Sequence, residues 1–296
     1  MNRLPADASR VPLMPVGMVL LSMVSIQVGA AFAKGLFPHV GAAGATALRL
    51  ILATLMLVLF FRPWRMRVSR AQWRPLIVFG VSLGLMNLLF YKSLETLPLG
   101  LAIALEFTGP LAVALLGSRR WIDLLWVALA VLGLCLLLPH LDGTALDPRG
   151  MAYALGAGVC WALYIVYGQR AGMDHGPQTV ALGSVIAAAV VVPIGVVQVG
   201  AALFAPALLP LALAVALLST ALPYSLEMVA LTRLPARTFG MLMSLEPAIG
   251  ALSGLLFLHE QLSQRQWLAI AAIIVASAGS TLTASAPRAE AGCGEG

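Results

Sequence analysis

Apolar residues run along this chain in blocks of roughly 17 to 22, each enough for about 30 Å of helix, separated by short polar, proline or glycine segments. The blocks fall at 13–33, 42–61, 75–93, 98–117, 122–138, 150–168, 178–198, 206–229, 237–257 and 266–284. The pattern predicts an all-α membrane protein of ten transmembrane helices, since helices can satisfy every backbone polar group inside a bilayer. The first block follows Arg3 and Arg10, as a signal peptide would. It outruns a signal core, however, and ends in AAFAKGLFP directly before the next block, so it reads as a retained helix. The intervals leave no room for a soluble catalytic domain, a nucleotide-binding cassette or a receptor ectodomain. Any function is therefore built inside the bundle.

The blocks also repeat. LPLGLAIALEFTGPLAVAL and LPARTFGMLMSLEPAIGAL align without a gap, Pro98 with Pro235 and Pro110 with Pro247. Outside this segment the halves share little sequence. The layout is a tail at 1–12, a first five-helix repeat at 13–138, an external linker at 139–149, a second repeat at 150–284 and a tail at 285–296. Five is odd, so the second copy enters the membrane from the opposite face, which gives two inverted five-helix repeats meeting near the midplane.

Composition strengthens the membrane reading: 60% of residues are hydrophobic and 10% charged, and the mean hydropathy is +0.95. The net charge of +6 is mainly a topology signal. With the N-terminus inside, Arg3, Arg10, Arg62, Arg65, Arg67, Arg70, Arg74, Arg119, Arg120, Arg170, Arg233, Arg237 and Arg288 share the cytoplasmic side. Only Lys34, Lys92, Arg149 and Arg265 lie at the other face. Both termini are then cytoplasmic. The Arg62 to Arg74 cluster meets anionic headgroups rather than nucleic acid, since it joins two membrane spans. Cys135, Cys160 and Cys293 are scattered, and His39, His140, His175 and His259 fall at span ends or in loops. The sequence thus offers no metal site, no disulfide framework and no cofactor motif, and no hydrolase or kinase signature either.

The candidate chemistry is in the spans. Glu106 and Glu246 sit inside apolar runs, where an unpaired carboxylate costs several kcal/mol and commonly marks the route of a polar solute. In the repeat, Glu246 pairs with Gly109 and Glu106 with Met243, so the two acids are offset by about one helical turn. Each stands close before a proline, Pro110 or Pro247, which frees a carbonyl within the span. Carboxylate and carbonyl together suit an ammonium group or a proton; alternatively each Glu is a hydrogen-bonding lock between helices. Arg49 is the one basic residue at depth, facing Glu106, Glu246 and Glu227. Three acids beside one cation imply that at least one carboxyl is protonated part of the time or reaches water. Arg49 either snorkels to the outer interface, forms a structural ion pair, or meets a substrate carboxylate. Glu227, nearer the inner surface, also reads as a hydrated gate-side residue. Ser25, Gln27, Asn87, Tyr91, Ser219 and Tyr224 add uncharged polar groups, and Trp161 and Tyr164 form an i, i+3 aromatic pair that either lines a cavity or packs helices. Gly250 with Gly254, and Ala272, Ala276 and Ser280, are small-residue stripes for close helix contact.

The ten-span inverted pattern, the ALRL run of the second span and EPAIGALSGLLFLHEQLS resemble the EamA branch of the drug/metabolite transporter superfamily. Four longer segments are similar, in order, to its RhtA-type threonine and homoserine exporters: SMVSIQVGAAFAKGLFPHVGAAGATALRL, ALEFTGPLAVAL, GQRAGMDHGPQTVALGS and STALPYSLEMVALTRLPARTFGMLMSLEPA. The resemblance covers roughly residues 10 to 285. It implies a secondary active exporter of small amino acids in the bacterial inner membrane, working by proton-coupled alternating access, with an amino acid, protons and the bilayer as partners. A zwitterion would enter from the cytoplasm with its ammonium near Glu106 or Glu246 and its carboxylate on helix ends, amides or hydroxyls; a proton from outside then takes the Glu. The cavity implied by the family is lined by Gln27, Asn87, Tyr91, Glu106, Trp161, Tyr164, Tyr224, Glu227 and Glu246. The fifth and tenth spans are left at the periphery, as candidates for a homodimer contact. Three departures stand out: His259 where the family usually has Gly, Arg119-Arg120 in place of an acidic segment, and Lys92 beside Tyr91. The alternatives are a carrier of larger organic solutes and a non-transporting scaffold, which would need neither buried acids nor an inverted repeat.

Overall fold

The computed structural model describes residues 13–65, 68–116, 121–137, 147–172, 177–231 and 242–283. Every regular element among them is helical: α1 (Leu13–Lys34), α2 (Phe37–Phe61), α3 (Arg70–Ser93), α4 (Leu99–Glu106), α5 (Thr108–Leu116), α6 (Trp121–Leu137), α7 (Pro148–Gly172), α8 (Pro177–Val199), α9 (Leu209–Ala216), α10 (Leu222–Leu231), α11 (Glu246–Leu258) and α12 (Gln264–Thr283). Six stretches among the described residues are long and apolar enough to cross a membrane, and three shorter apolar helices lie within 99–113, 124–133 and 246–258. Arg3, Arg10, Arg67, Arg119, Arg120, Arg233, Arg237, Arg288, His140, His175, Cys293 and the first residues of the ninth apolar block lie outside the described residues.

Local chemistry explains where the helices break. The fourth block divides at Phe107, because Pro110 has no N–H for the Glu106 carbonyl; the ladder resumes with the Leu111 N–H on the Phe107 carbonyl, 3.2 Å away. In the ninth block α11 likewise starts after a turn at Ser244 and Leu245, with Pro247 in its first turn. The eighth block is continuous but changes register. Residues Leu217–Ala221 form a π turn in which the Leu222 N–H reaches back five residues to the Leu217 carbonyl, just ahead of Pro223. In α2 the backbone at Gly41 has φ 61° and ψ 178°, open to glycine but not to a residue with a Cβ. The straight part of α2 therefore begins at Ala42, whose N–H is taken by the Glu95 carboxylate at 3.1 Å. Asp147 accepts from the Arg149 and Gly150 N–H groups at the start of α7, and the Arg149 backbone bond leads in holding its carboxyl below the ordinary Asp range.

Packing is pairwise and close: α2 on α8, α3 on α7 and α8, α1 on α10 and α11, α4 on α11 and α7, α5 on α7, α2 on α9, and α6 on α12. Small residues make the approach possible. A Cβ at Gly109 would stand 1.9 Å from the Gly158 carbonyl, and one at Gly100 2.5 Å from the Ala251 Cα. One large cluster fills the middle of the bundle, with Leu36, Tyr91, Leu99, Leu101 and Leu105 among its fully buried members. The outer surface is apolar as well, with Leu55, Phe60, Leu124, Leu132, Val159, Val197, Leu256 and Leu268 exposed. That is the surface of a protein solvated by lipid. At one end of the bundle Glu260 joins three elements: Lys34 at the end of α1 at 2.6 Å, and the Leu99 N–H at the start of α4 at 2.8 Å, from its place just past α11.

Candidate functional site

Among the described residues, two polar contacts within this apolar bundle carry most of the candidate chemistry. The first joins α1 to α11, where the Gln27 amide donates to a Glu246 carboxylate oxygen at 3.2 Å. Both side chains are buried, Gln27 at 1% exposure and Glu246 at 6%. Gln27 keeps its amide oxygen Oε1, and Glu246 its second carboxylate oxygen Oε2, without a hydrogen-bond partner among the described residues. A buried carboxylate half satisfied in this way is available to another donor.

The second contact is centred on Arg49; of the three readings the sequence left open, its burial speaks against snorkelling, and no ion pair to it is present among the described residues. Arg49 is 4% exposed, about 12 Å along α2 from the Gly41 kink. Its guanidinium donates to Ser219 Oγ at 3.2 Å and to Asn87 Oδ1, and lies 4.6 Å above the Tyr91 ring. Among the described residues no carboxylate stands within ion-pair distance of it. Each neighbour is fixed in turn. The Asn87 amide donates to the Leu83 carbonyl at 2.7 Å, and the Ser219 hydroxyl to the Val215 carbonyl at 2.7 Å. Arg49 Nε, the Tyr91 hydroxyl and Thr220 Oγ1 are buried without a partner among the described residues.

The remaining candidates fall around these two contacts. Glu106, 7% exposed at the α4–α5 joint, feels the charges of both Glu246 and Arg49. Its own backbone carbonyl is not open to a solute, because a Cβ at Gly158 on α7 would stand 2.7 Å from it; what Glu106 presents is its carboxylate. Glu227 accepts from Ser22 Oγ at 3.2 Å and is half-buried. Tyr224 is half-buried on α10. The aromatic pair is engaged in packing: Trp161 stands edge-on to Phe107 at 5.4 Å and Tyr164 stacks on Phe79 at 4.9 Å. Lys92 lies 5.6 Å over the Tyr153 ring, away from the Arg49 group's ring, Tyr91. Ser25 donates to the Leu218 carbonyl at 2.6 Å and so ties α1 to the π turn. Sequence reasoning passed over Ser22 and Thr220, and nothing in their neighbours' pattern singles them out. Among the described residues no three of His, Cys, Asp and Glu gather into a metal-binding group.

Comparison with known proteins adds the relatives. The model of the EamA-like transporter family matches residues 148–282. The chain is 61% identical over 282 residues to the threonine/homoserine exporter RhtA of Escherichia coli strain K12, covering 95% of this chain and 96% of that protein; the Salmonella typhimurium strain LT2 exporter of the same name matches equally. An uncharacterized transporter of Bacillus subtilis, YwfM, is 26% identical over 253 residues. A crystal structure 18% identical in sequence superposes with a TM-score of 0.63 over 90% of this chain and 96% of its own, which speaks for the fold.

Proposed function

The chain belongs to the EamA-like transporter family, and from that premise we propose that it is a secondary active exporter of small amino acids of the threonine and homoserine class. The observation that carries the reading is the 61% identity to threonine/homoserine exporters across 95% of the chain. The geometry is in keeping with it, since Arg49, Glu106, Gln27 and Glu246 offer charge of both signs inside a lipid-solvated bundle. The engaged state of Trp161 and Tyr164 favours a small solute over a large one.

We place the protein in the bacterial inner membrane with both termini cytoplasmic, ten helices and two inverted halves. The packing pairs support the repeat. If α1, α2, α3, α4–α5 and α6 correspond to α7, α8, α9–α10, α11 and α12, exchanging the halves turns α3 on α7 into α10 on α1. It turns α4 on α7 into α11 on α1 and α3 on α8 into α9 on α2, while the pairs α2–α8, α4–α11 and α6–α12 map onto themselves. Each of those pairs occurs. Rocking of such halves about a central site is alternating access. Glu106 and Glu246 then exchange a proton for the substrate ammonium, with Glu227 on the cytoplasmic path, and α6 and α12 form the periphery.

The test is efflux of labelled threonine from proteoliposomes under an imposed pH gradient. External acid accelerates efflux by the wild-type protein, and Glu106→Gln or Glu246→Gln abolishes that acceleration. Normally inserted forms of both variants that keep the wild-type pH dependence would remove these residues from the coupling role.

A further inference from the structure

We propose that Arg49 is the carboxylate-binding residue of a bipolar α-amino-acid site whose ammonium pole is Glu246 with Gln27. The proposal rests on the export reading above and specifies the site that reading needs.

Arg49 is held rather than neutralised. Its contacts are a hydroxyl oxygen, an amide oxygen and the face of a tyrosine, all uncharged, and none of them is a carboxylate. Those contacts are also rigid. Asn87 spends its N–H on the Leu83 carbonyl, so its oxygen is turned to the guanidinium. Ser219 spends its proton on Val215, so only a lone pair faces Arg49. Two of the guanidinium's edges are therefore fixed, and Nε–H is buried and has no partner among the described residues. A planar cation in a site of low dielectric, oriented by neutral groups and with a donor to spare, suits a carboxylate, which it can meet with two parallel hydrogen bonds. A purely structural arginine at this depth would be expected to carry its own counter-ion.

Both poles border α1. Ser219, which accepts from Arg49, packs against α1 at Gly29, where a Cβ would be 2.8 Å from the Ser219 Cβ. Gln27 is two residues along the same helix and touches Glu246. Among the described residues, Glu246 Oε2 and Gln27 Oε1 are acceptors without donors, as an ammonium requires, while Arg49 Nε is a donor without an acceptor. A zwitterion brings each pole the charge it lacks. An amine without a carboxylate, or a hydroxy acid without an amine, satisfies only one.

Calorimetry on the purified full-length protein tests this, with L-threonine, L-threoninamide and 2,3-dihydroxybutyrate as probes. Wild-type protein is expected to bind threonine at least 30-fold more tightly than threoninamide. Arg49→Gln reduces that ratio below 3-fold and leaves threoninamide affinity within 3-fold of wild type. Asn87→Asp is the second variant: it keeps Arg49 and the side-chain shape but supplies an internal carboxylate, and it lowers the ratio in the same way. Glu246→Gln instead erodes the preference for threonine over 2,3-dihydroxybutyrate. A folded Arg49→Gln or Asn87→Asp protein that keeps the wild-type ratio overturns the proposal, as does a wild-type ratio near one. Failure of wild-type protein to bind any amino acid overturns the export reading with it, whereas threonine binding without carboxylate discrimination overturns the Arg49 assignment alone.

Discussion

His259 closes α11 in the left-handed region, at φ 54° and ψ 28°, with its N–H on the Gly254 carbonyl. A residue with a Cβ is strained there, and glycine is the usual occupant of such a helix end. His259→Gly is therefore expected to stabilise the protein by up to about 1 kcal/mol, read as a higher thermal midpoint in detergent. The oddity of His259 against its family's glycine was visible in the sequence; the backbone supplies its physical meaning. Arg49 shows the reverse. Its depth was legible from the apolar run around it, but its partners were not, because Asn87 lies 38 residues away and Ser219 170. Hydrophobic periodicity carries no information on which helix a side chain will meet. The same holds for Gln27 and Glu246, 219 residues apart. The Asp147 cap gives a pH prediction. Its carboxyl is held below the ordinary Asp value, so the stabilisation is present above roughly pH 4 and is lost as pH falls through the lowered folded value. Hydrogen exchange in the first turn of α7 is expected to rise only in that acid range.

The helices depend on backbone contacts that side chains cannot relieve. At the α5–α7 crossing a Cβ on Gly109 would lie 1.9 Å from the Gly158 carbonyl, main chain against main chain. Gly109→Ala is expected to cost about 1–3 kcal/mol of stability and to displace Glu106 from its place at the neighbouring joint. Gly17→Ala, with nothing within 4 Å, is the control that leaves the thermal midpoint unchanged. Glu260 makes a similar test for the end of the bundle. Glu260→Gln keeps an oxygen for the Leu99 N–H and loses the Lys34 ion pair, whereas Glu260→Ala loses both. The alanine variant should melt below the glutamine variant, each step worth about 1 kcal/mol. Block boundaries at this scale were largely legible, because lipid imposes length and composition on a span. The second block, read as starting at 42, begins its straight helix at Ala42 after the Gly41 kink. The π turn at Leu217–Ala221 was not legible. Pro223 marks a disturbance nearby, but the change in register comes from packing against α1, where Gly29 meets Ser219 and Ser25 holds the Leu218 carbonyl.

Across the whole molecule, charged and amide groups at depth are few among the described residues. Among the described residues, Arg49, Glu106, Gln27 and Glu246 are buried charged and amide groups, and they are the ones proposed above to receive a zwitterion. The identity to threonine/homoserine exporters points to which zwitterion that is. The most direct test is counterflow in proteoliposomes made with purified protein. Liposomes preloaded with unlabelled threonine or homoserine should transiently accumulate external labelled threonine, while those preloaded with glutamate should not. Accumulation no greater than in protein-free liposomes, or equal with every preloaded solute, would contradict the assignment of this chain as a small-amino-acid exporter.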